Sequence, residues 1–164
     1  MGQQAAALAD QLEQAAGEFT TAVAGLAEAQ WRQPVPAEGR NVASLTCHVA
    51  RILPLHLGAF RAIATGGQPP LGTLAGINAR NAATAAAWAD TDRAAALAEL
   101  RTNAAAAAAE LRGWDDAQLA REGRLVEELD DPLPVALWVE VLLLGHVTDH
   151  LRSLREALAA TAPG

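Results

Sequence analysis

Large apolar residues recur along this chain at three- and four-residue steps, the spacing of one face of an α-helix. In the first such stretch, from Ala5 to Gln30, the register is held by Leu8, Leu12, Phe19, Val23 and Leu26, with Ala15 and Ala16 filling the gap. The spacing predicts an amphipathic helix there. Alanine, the best helix former, supplies 41 of the 164 residues, so the background between the periodic positions favours the same structure. An all-α protein is expected, and this length suits a single domain over 1–164.

The breaks between periodic stretches divide the chain into four long helices. Gln33-Pro-Val-Pro-Ala-Glu-Gly-Arg cannot continue a helical ladder, because it holds two prolines and a glycine. Asn41 is a natural N-cap for a second helix to about Ile63, with Leu45, His48, Ile52, Leu55, Ala59 and Ile63 on one face and a kink expected at Pro54. The segment from Gly66 to about Gly76 is a long connection, of the kind that crosses a bundle from end to end. A third helical region over about Ala79–Arg112 is interrupted near Ala89–Arg93, where Asp90 or Thr91 could cap a new start. Its body places Leu97, Leu100, Ala104, Ala107 or Ala108, and Leu111 inward, and its alanine run permits close helix approach. The polar, acidic stretch Gly113–Pro134 ends in Asp130-Asp-Pro-Leu-Pro, and a last helix runs from about Leu133 to Ala160. Its predicted inner face reads Val135, Val139, Leu142, His146, His150, Leu154 and Ala157.

Charge and cysteine content narrow the function classes. All 12 basic residues are Arg, against 19 acidic ones, for a formal charge of −7. An acidic chain without a basic stripe is unsuited to nucleic acid or an anionic membrane as main partner. The single cysteine, Cys47, excludes an internal disulfide and a multi-cysteine zinc site, and suits a reducing cytoplasm. Met-Gly-Gln-Gln-Ala-Ala lacks a signal-peptide pattern, and the apolar run Val135–Leu144 is about half a membrane span. A soluble cytoplasmic protein acting on a small molecule is expected.

The histidines carry the chemistry. His146 and His150 stand one turn apart on one helix face, about 6 Å along the axis, so both imidazoles can converge on one ion. His48 can supply a third nitrogen if the second helix runs antiparallel to the fourth. Three imidazoles with a fourth position open make a catalytic divalent site, not a closed structural one. Alternatively, each is a core histidine bonded to a neighbouring polar group. His56 is expected at the surface or at a pocket rim, behind Pro54 and off the face of His48, and is the weakest ligand candidate of the four histidines. Asp149 is a candidate to orient a ligand from behind. Trp138 could wall a cavity, and Arg51, Arg80 and Arg101 could meet a substrate carboxylate. Cys47 points about 100° away from His48 and reads as a packed residue.

These residues resemble the DinB/YfiT-like superfamily of small bacterial metal-binding four-helix proteins. The likeness rests on His48 within Asn41-Val-Ala-Ser-Leu-Thr-Cys-His-Val-Ala-Arg, on Gly145-His-Val-Thr-Asp-His-Leu-Arg-Ser-Leu-Arg155, and on the third helix with its acidic turn, Leu97 to Leu119. It implies an up-down-down-up four-helix bundle with a long crossover between helices two and three. It also implies a divalent metal, zinc or nickel, on His48, His146 and His150, and a homodimer. Relatives include transferases and isomerases that use mycothiol or bacillithiol. His146 stands where the maleylpyruvate isomerase branch carries a glutamate, which favours a three-histidine branch, and Arg40-Asn41-Val42 replaces a tryptophan-containing helix start. The Ala-rich, Arg-only composition resembles a high-GC bacterial genome, for which mycothiol is the expected thiol. The resemblance therefore points to a metal-dependent thiol S-transferase. Its rivals are a hydrolase, lyase or cyclase working through activated water or substrate oxygen, and a non-enzymatic metal- or ligand-binding stress module.

Overall fold

The structure, a computed structural model, describes residues 2–69, 72–126, 128 and 131–161. Helix α1 spans Gln3–Ala24 and buries Leu8, Leu12, Ala15, Ala16, Phe19 and Val23, the face that the periodicity marks. It ends at Gly25, short of Gln30, and a separate turn of helix, α2 (Glu28–Trp31), brings fully buried Trp31 under the bundle. Helix α3 (Val42–Ala64) starts at Asn41, whose side chain accepts from the Ser44 amide at 2.9 Å, and runs on through Pro54. Leu55, expected inside, is 43% exposed, and the core is filled instead by Leu53, Leu57 and Phe60. By length and composition α3 could cross a membrane, but most of it is buried inside the bundle.

The third helical region is two helices. Helix α4 (Leu74–Ala87) starts earlier than expected because Thr73 caps it, and it contributes no buried residue. Helix α5 (Arg93–Arg112) is capped by Asp92, whose carboxylate accepts from the Ala95 amide, rather than by Asp90 or Thr91. It buries Leu97, Leu100, Ala104, Ala107, Ala108 and Leu111, as its spacing predicts. The acidic stretch contains one further turn, α6 (Asp116–Leu119), and a two-residue antiparallel ladder, Glu122–Gly123 with Leu133–Pro134. Of the predicted Asp130–Pro134 stop, Asp130 lies outside the described residues. The last long helix is composite: α7 (Val135–Trp138), a π-helical segment Val139–Leu144, and α8 (Gly145–Ala159).

Side-chain pairs fix the helix directions. Arg51 meets Glu99 and Arg61 meets Glu110, so partners advance together and α3 runs parallel to α5. Arg112 meets Asp10 and Glu13 while Arg93 reaches the Leu26 carbonyl, so α1 and α5 are antiparallel. His48 faces His146 while His56 reaches the Leu142 carbonyl, which makes α3 antiparallel to the last helix. Two sequential helices can be parallel only across a long return, which residues 65–92 with α4 provide. The bundle is up-down-down-up.

Candidate metal centre

His48 lies in the second turn of α3, and His146 and His150 lie on successive turns of α8. His146 Nε2 is 3.0 Å from His48 Nε2 and 3.0 Å from His150 Nε2. One ligand nitrogen from each ring falls within 4.8 Å of the others. A neutral imidazole nitrogen is either a donor or an acceptor, so His146 Nε2 can form at most one of these two contacts as a good hydrogen bond. The second brings two like groups together. Burial, with Arg40 and His150 adding repulsion, pushes His48 down to about 3. Burial and the neighbouring histidines push His146 down to about 2. His48 and His146 are therefore neutral at pH 7 and offer lone pairs, and a divalent cation would satisfy the three converging nitrogens together.

The π segment sets where the histidine pair points. A regular α-helix would put Leu142, His146 and His150 in line with Val135 and Val139. The wider π turn adds about one residue and rotates the helix beyond it. Leu143, Val147, Leu151 and Leu154 take the core positions, Leu142 is only partly buried, and His146 and His150 move to the flank beside α3. The Leu142 carbonyl accepts from His56 Nδ1 at 2.9 Å. That contact places the His56 proton on Nδ1 and draws its ring to 5.5 Å from His146. The fourth histidine is thus beside the cluster, not at an outer rim, because the π turn brings a carbonyl to it.

A short turn closes the site from the other side. Pro34–Val35 pairs antiparallel with Arg40–Asn41, a 3-10 turn Pro36–Glu38 lies between, and Gly39 at φ 62° permits the reversal. Glu38 Oε1 sits 2.9 Å from His150 Nδ1, and both side chains are about 15% exposed or less. The approach has the distance of an ion pair but not the direction of a well-formed hydrogen bond, since Nδ1 is otherwise buried without a partner. Burial pushes Glu38 up, but His150, Ser153 and Arg40 outweigh it and hold the carboxyl below its ordinary range. A carboxylate behind a ligand imidazole fixes the ring and raises its basicity.

The other residues singled out in the sequence lie elsewhere. Asp149 is exposed and accepts from Arg152 at 2.8 Å, because it sits about 100° around α8 from His150, so the carboxylate beside the cluster is Glu38. Trp138 is buried and donates from Nε1 to the Gly123 carbonyl, pinning the small ladder to α7. Arg51 pairs with Glu99 at 2.9 Å and lies over the Trp88 ring. Arg101 is exposed in a shallow surface depression between α1 and α5. Cys47 is buried, and burial pushes its thiol up, against the needs of a nucleophile. Glu38 and Arg40 were not anticipated as site residues. The signal for them is their placement either side of Gly39, immediately before a capped helix that carries a candidate ligand.

A parallel-paired helical bundle with three histidines converging from its second and last long helices is a DinB/YfiT-like bundle. YfiT from Bacillus subtilis, described as a probable metal-dependent hydrolase with an unusual four-helix bundle topology, superposes with a TM-score of 0.78 at 17% identity, covering 98% of this chain and 89% of that one. The sequence matches the mycothiol maleylpyruvate isomerase N-terminal domain family over residues 12–143, and the chain belongs to that family. The match ends before His146 and His150. No curated protein matches the chain.

Proposed function

We propose that this protein is a divalent-metal-dependent enzyme, with zinc or nickel on His48, His146 and His150, that transfers a low-molecular-weight thiol to an electrophile. The observation that carries it is the convergence of three imidazole Nε2 atoms backed by the Glu38 carboxylate. Support for a thiol comes from the family, whose name specifies mycothiol, and the composition favours mycothiol over bacillithiol. A divalent ion supplies Lewis acidity, stabilising a thiolate near neutral pH. The protein's own residues do the rest. His48 and His146 stay unprotonated because burial disfavours their cations, His150 is held by Glu38, and His56 keeps its Nδ1 proton on the Leu142 carbonyl.

Metal analysis of protein purified without a histidine tag is the first test, with about one divalent ion per chain expected. The second is thiol consumption with 1-chloro-2,4-dinitrobenzene as electrophile. Turnover that depends on added thiol supports transfer, whereas activity indifferent to every thiol removes it. The description of YfiT favours a second reading, a metal-dependent hydrolase, which a panel of ester and amide substrates without thiol addresses. A His150→Ala variant with unchanged metal content would remove the triad from both readings.

A further inference from the structure

The fourth histidine stands beside the cluster with one ring nitrogen unused. His56 Nδ1 is 2.9 Å from the Leu142 carbonyl, and a carbonyl only accepts, so Nδ1 holds the proton. In the neutral ring Nε2 is then a bare acceptor. It bonds to nothing among the described residues, yet it is not sealed in the core. The ring lies 5.5 Å from that of His146 and stands nearly edge-on to it, at 73°. Helix direction explains the placement. Because α3 runs antiparallel to the last helix, the position two turns beyond His48 comes level with Leu142, one turn before His146. Glu38 therefore backs the His150 end of the cluster and His56 flanks the His146 end. His48 is only 4% exposed, whereas His56, His146 and His150 are each partly exposed, so a small molecule reaches the cluster from the side on which these three stand.

We propose that His56 Nε2 accepts a hydrogen bond from the small molecule that binds at the three histidines, which makes the preferred ligands those with an O–H or N–H close to the metal-binding atom. The inference rests on the metal reading above. His56 acts on the ligand and not on the ion, since it is not among the converging nitrogens. The tautomer gives the contact its sense, because a ring protonated at Nε2 would favour ligands that bring an acceptor instead. The Leu142 carbonyl that fixes this tautomer belongs to the π segment, so the same irregular turn aims the histidine pair and sets the polarity of its neighbour. The ring is held before a ligand arrives, and a ligand of the same shape without a donor leaves Nε2 unpaired.

The test keeps His56 in place, because removing it would also free the Leu142 carbonyl. Zinc content of the loaded wild-type protein is measured first, and nitrogen-15 NMR of the histidine rings then reads His56 directly at about pH 8, where an ordinary histidine is neutral. Before any ligand is added, His56 should carry its proton on Nδ1 and none on Nε2. Two probe pairs follow. 2-Mercaptoethanol is titrated against 1-propanethiol, which has a methyl group in place of the hydroxyl, and acetohydroxamate against N-methylacetohydroxamate. Binding of each is followed by the visible absorption of the cobalt(II) form. The His56 Nε2 resonance should move upfield with the donor-bearing member of at least one pair and hold its place with that member's partner. A proton on Nε2 overturns the assignment, as does a response alike to both members of every pair that binds, or a metal site that takes none of the four probes. Protein that takes up no zinc fails the metal reading, and this inference with it. Thiols that leave the cobalt spectrum unchanged while the hydroxamates discriminate remove the thiol reading and leave the His56 contact standing.

Discussion

Replacing Glu38 by Gln removes a negative charge from behind His150 while keeping the shape of the turn. A metal-bound imidazole is neutral, so the 2.9 Å approach of Glu38 Oε1 to His150 Nδ1 acts by fixing the ring and raising its basicity, not as an ion pair. The effect of a carboxylate on a ligand imidazole is about 10–100-fold in metal affinity, or about 1.4–2.8 kcal/mol. The assay is competition for zinc against a chromophoric chelator at pH 7, alongside thermal melting of the metal-free protein. Glu38→Gln should weaken zinc by at least about tenfold. Wild-type affinity in a well-folded Glu38→Gln protein would refute the claim that the turn supports the metal site.

Four other perturbations probe the same contacts. Asp149→Asn should leave zinc affinity within about twofold of wild type in the same competition, since Asp149 faces solvent and surface ion pairs contribute little. Metal-free protein should lose stability in urea titrations as pH falls from 6.5 towards 3. The unfolded chain takes up protons there that folded His48 and His146, held near 3 and 2, refuse, at up to about 1.4 kcal/mol per pH unit for each ring, while above pH 6.5 this contribution is complete. Gly123→Ala should cost about 1–3 kcal/mol in the same titration, because its Cβ would stand 2.7 Å from the buried Ile63 side chain. Deleting Val141, an exposed residue of the π segment, should abolish tight zinc binding by rotating α8 about 100° against α7, and retention of wild-type affinity would refute the π turn's role.

The helical bundle was legible because its evidence is local. Leu8, Leu12, Phe19 and Val23 state one face of α1, Leu97, Leu100 and Leu111 one face of α5, and Asn41 caps α3 by contacts three residues away. The three histidines were legible for the same reason, since His146 and His150 are one turn apart and His48 belongs to a neighbouring apolar helix. Glu38 and Arg40 were not. Their roles depend on how a proline-containing turn lies against α8, a contact across more than a hundred residues, and within the sequence they are two charged residues in a loop. Leu55 was misplaced because α3 is buried nearly all round in its first turns, so a single stripe does not describe it.

The π segment explains why periodicity picked out the three histidines that cluster, for a partly wrong reason. Read as a regular helix, the last stretch puts His146 and His150 in the middle of the core, where three imidazoles among leucines would be costly to bury. The π turn resolves that conflict. It returns Leu143, Val147, Leu151 and Leu154 to the core and moves the histidines one step aside, to where His48, Glu38 and His56 meet them. Helices with a π turn sacrifice regular hydrogen bonding, so the segment persists only where other contacts compensate. Here the His56–Leu142 hydrogen bond and the Trp138–Gly123 hydrogen bond brace it through side chains. The local irregularity is what lets one helix serve both a packed core and a polar cluster.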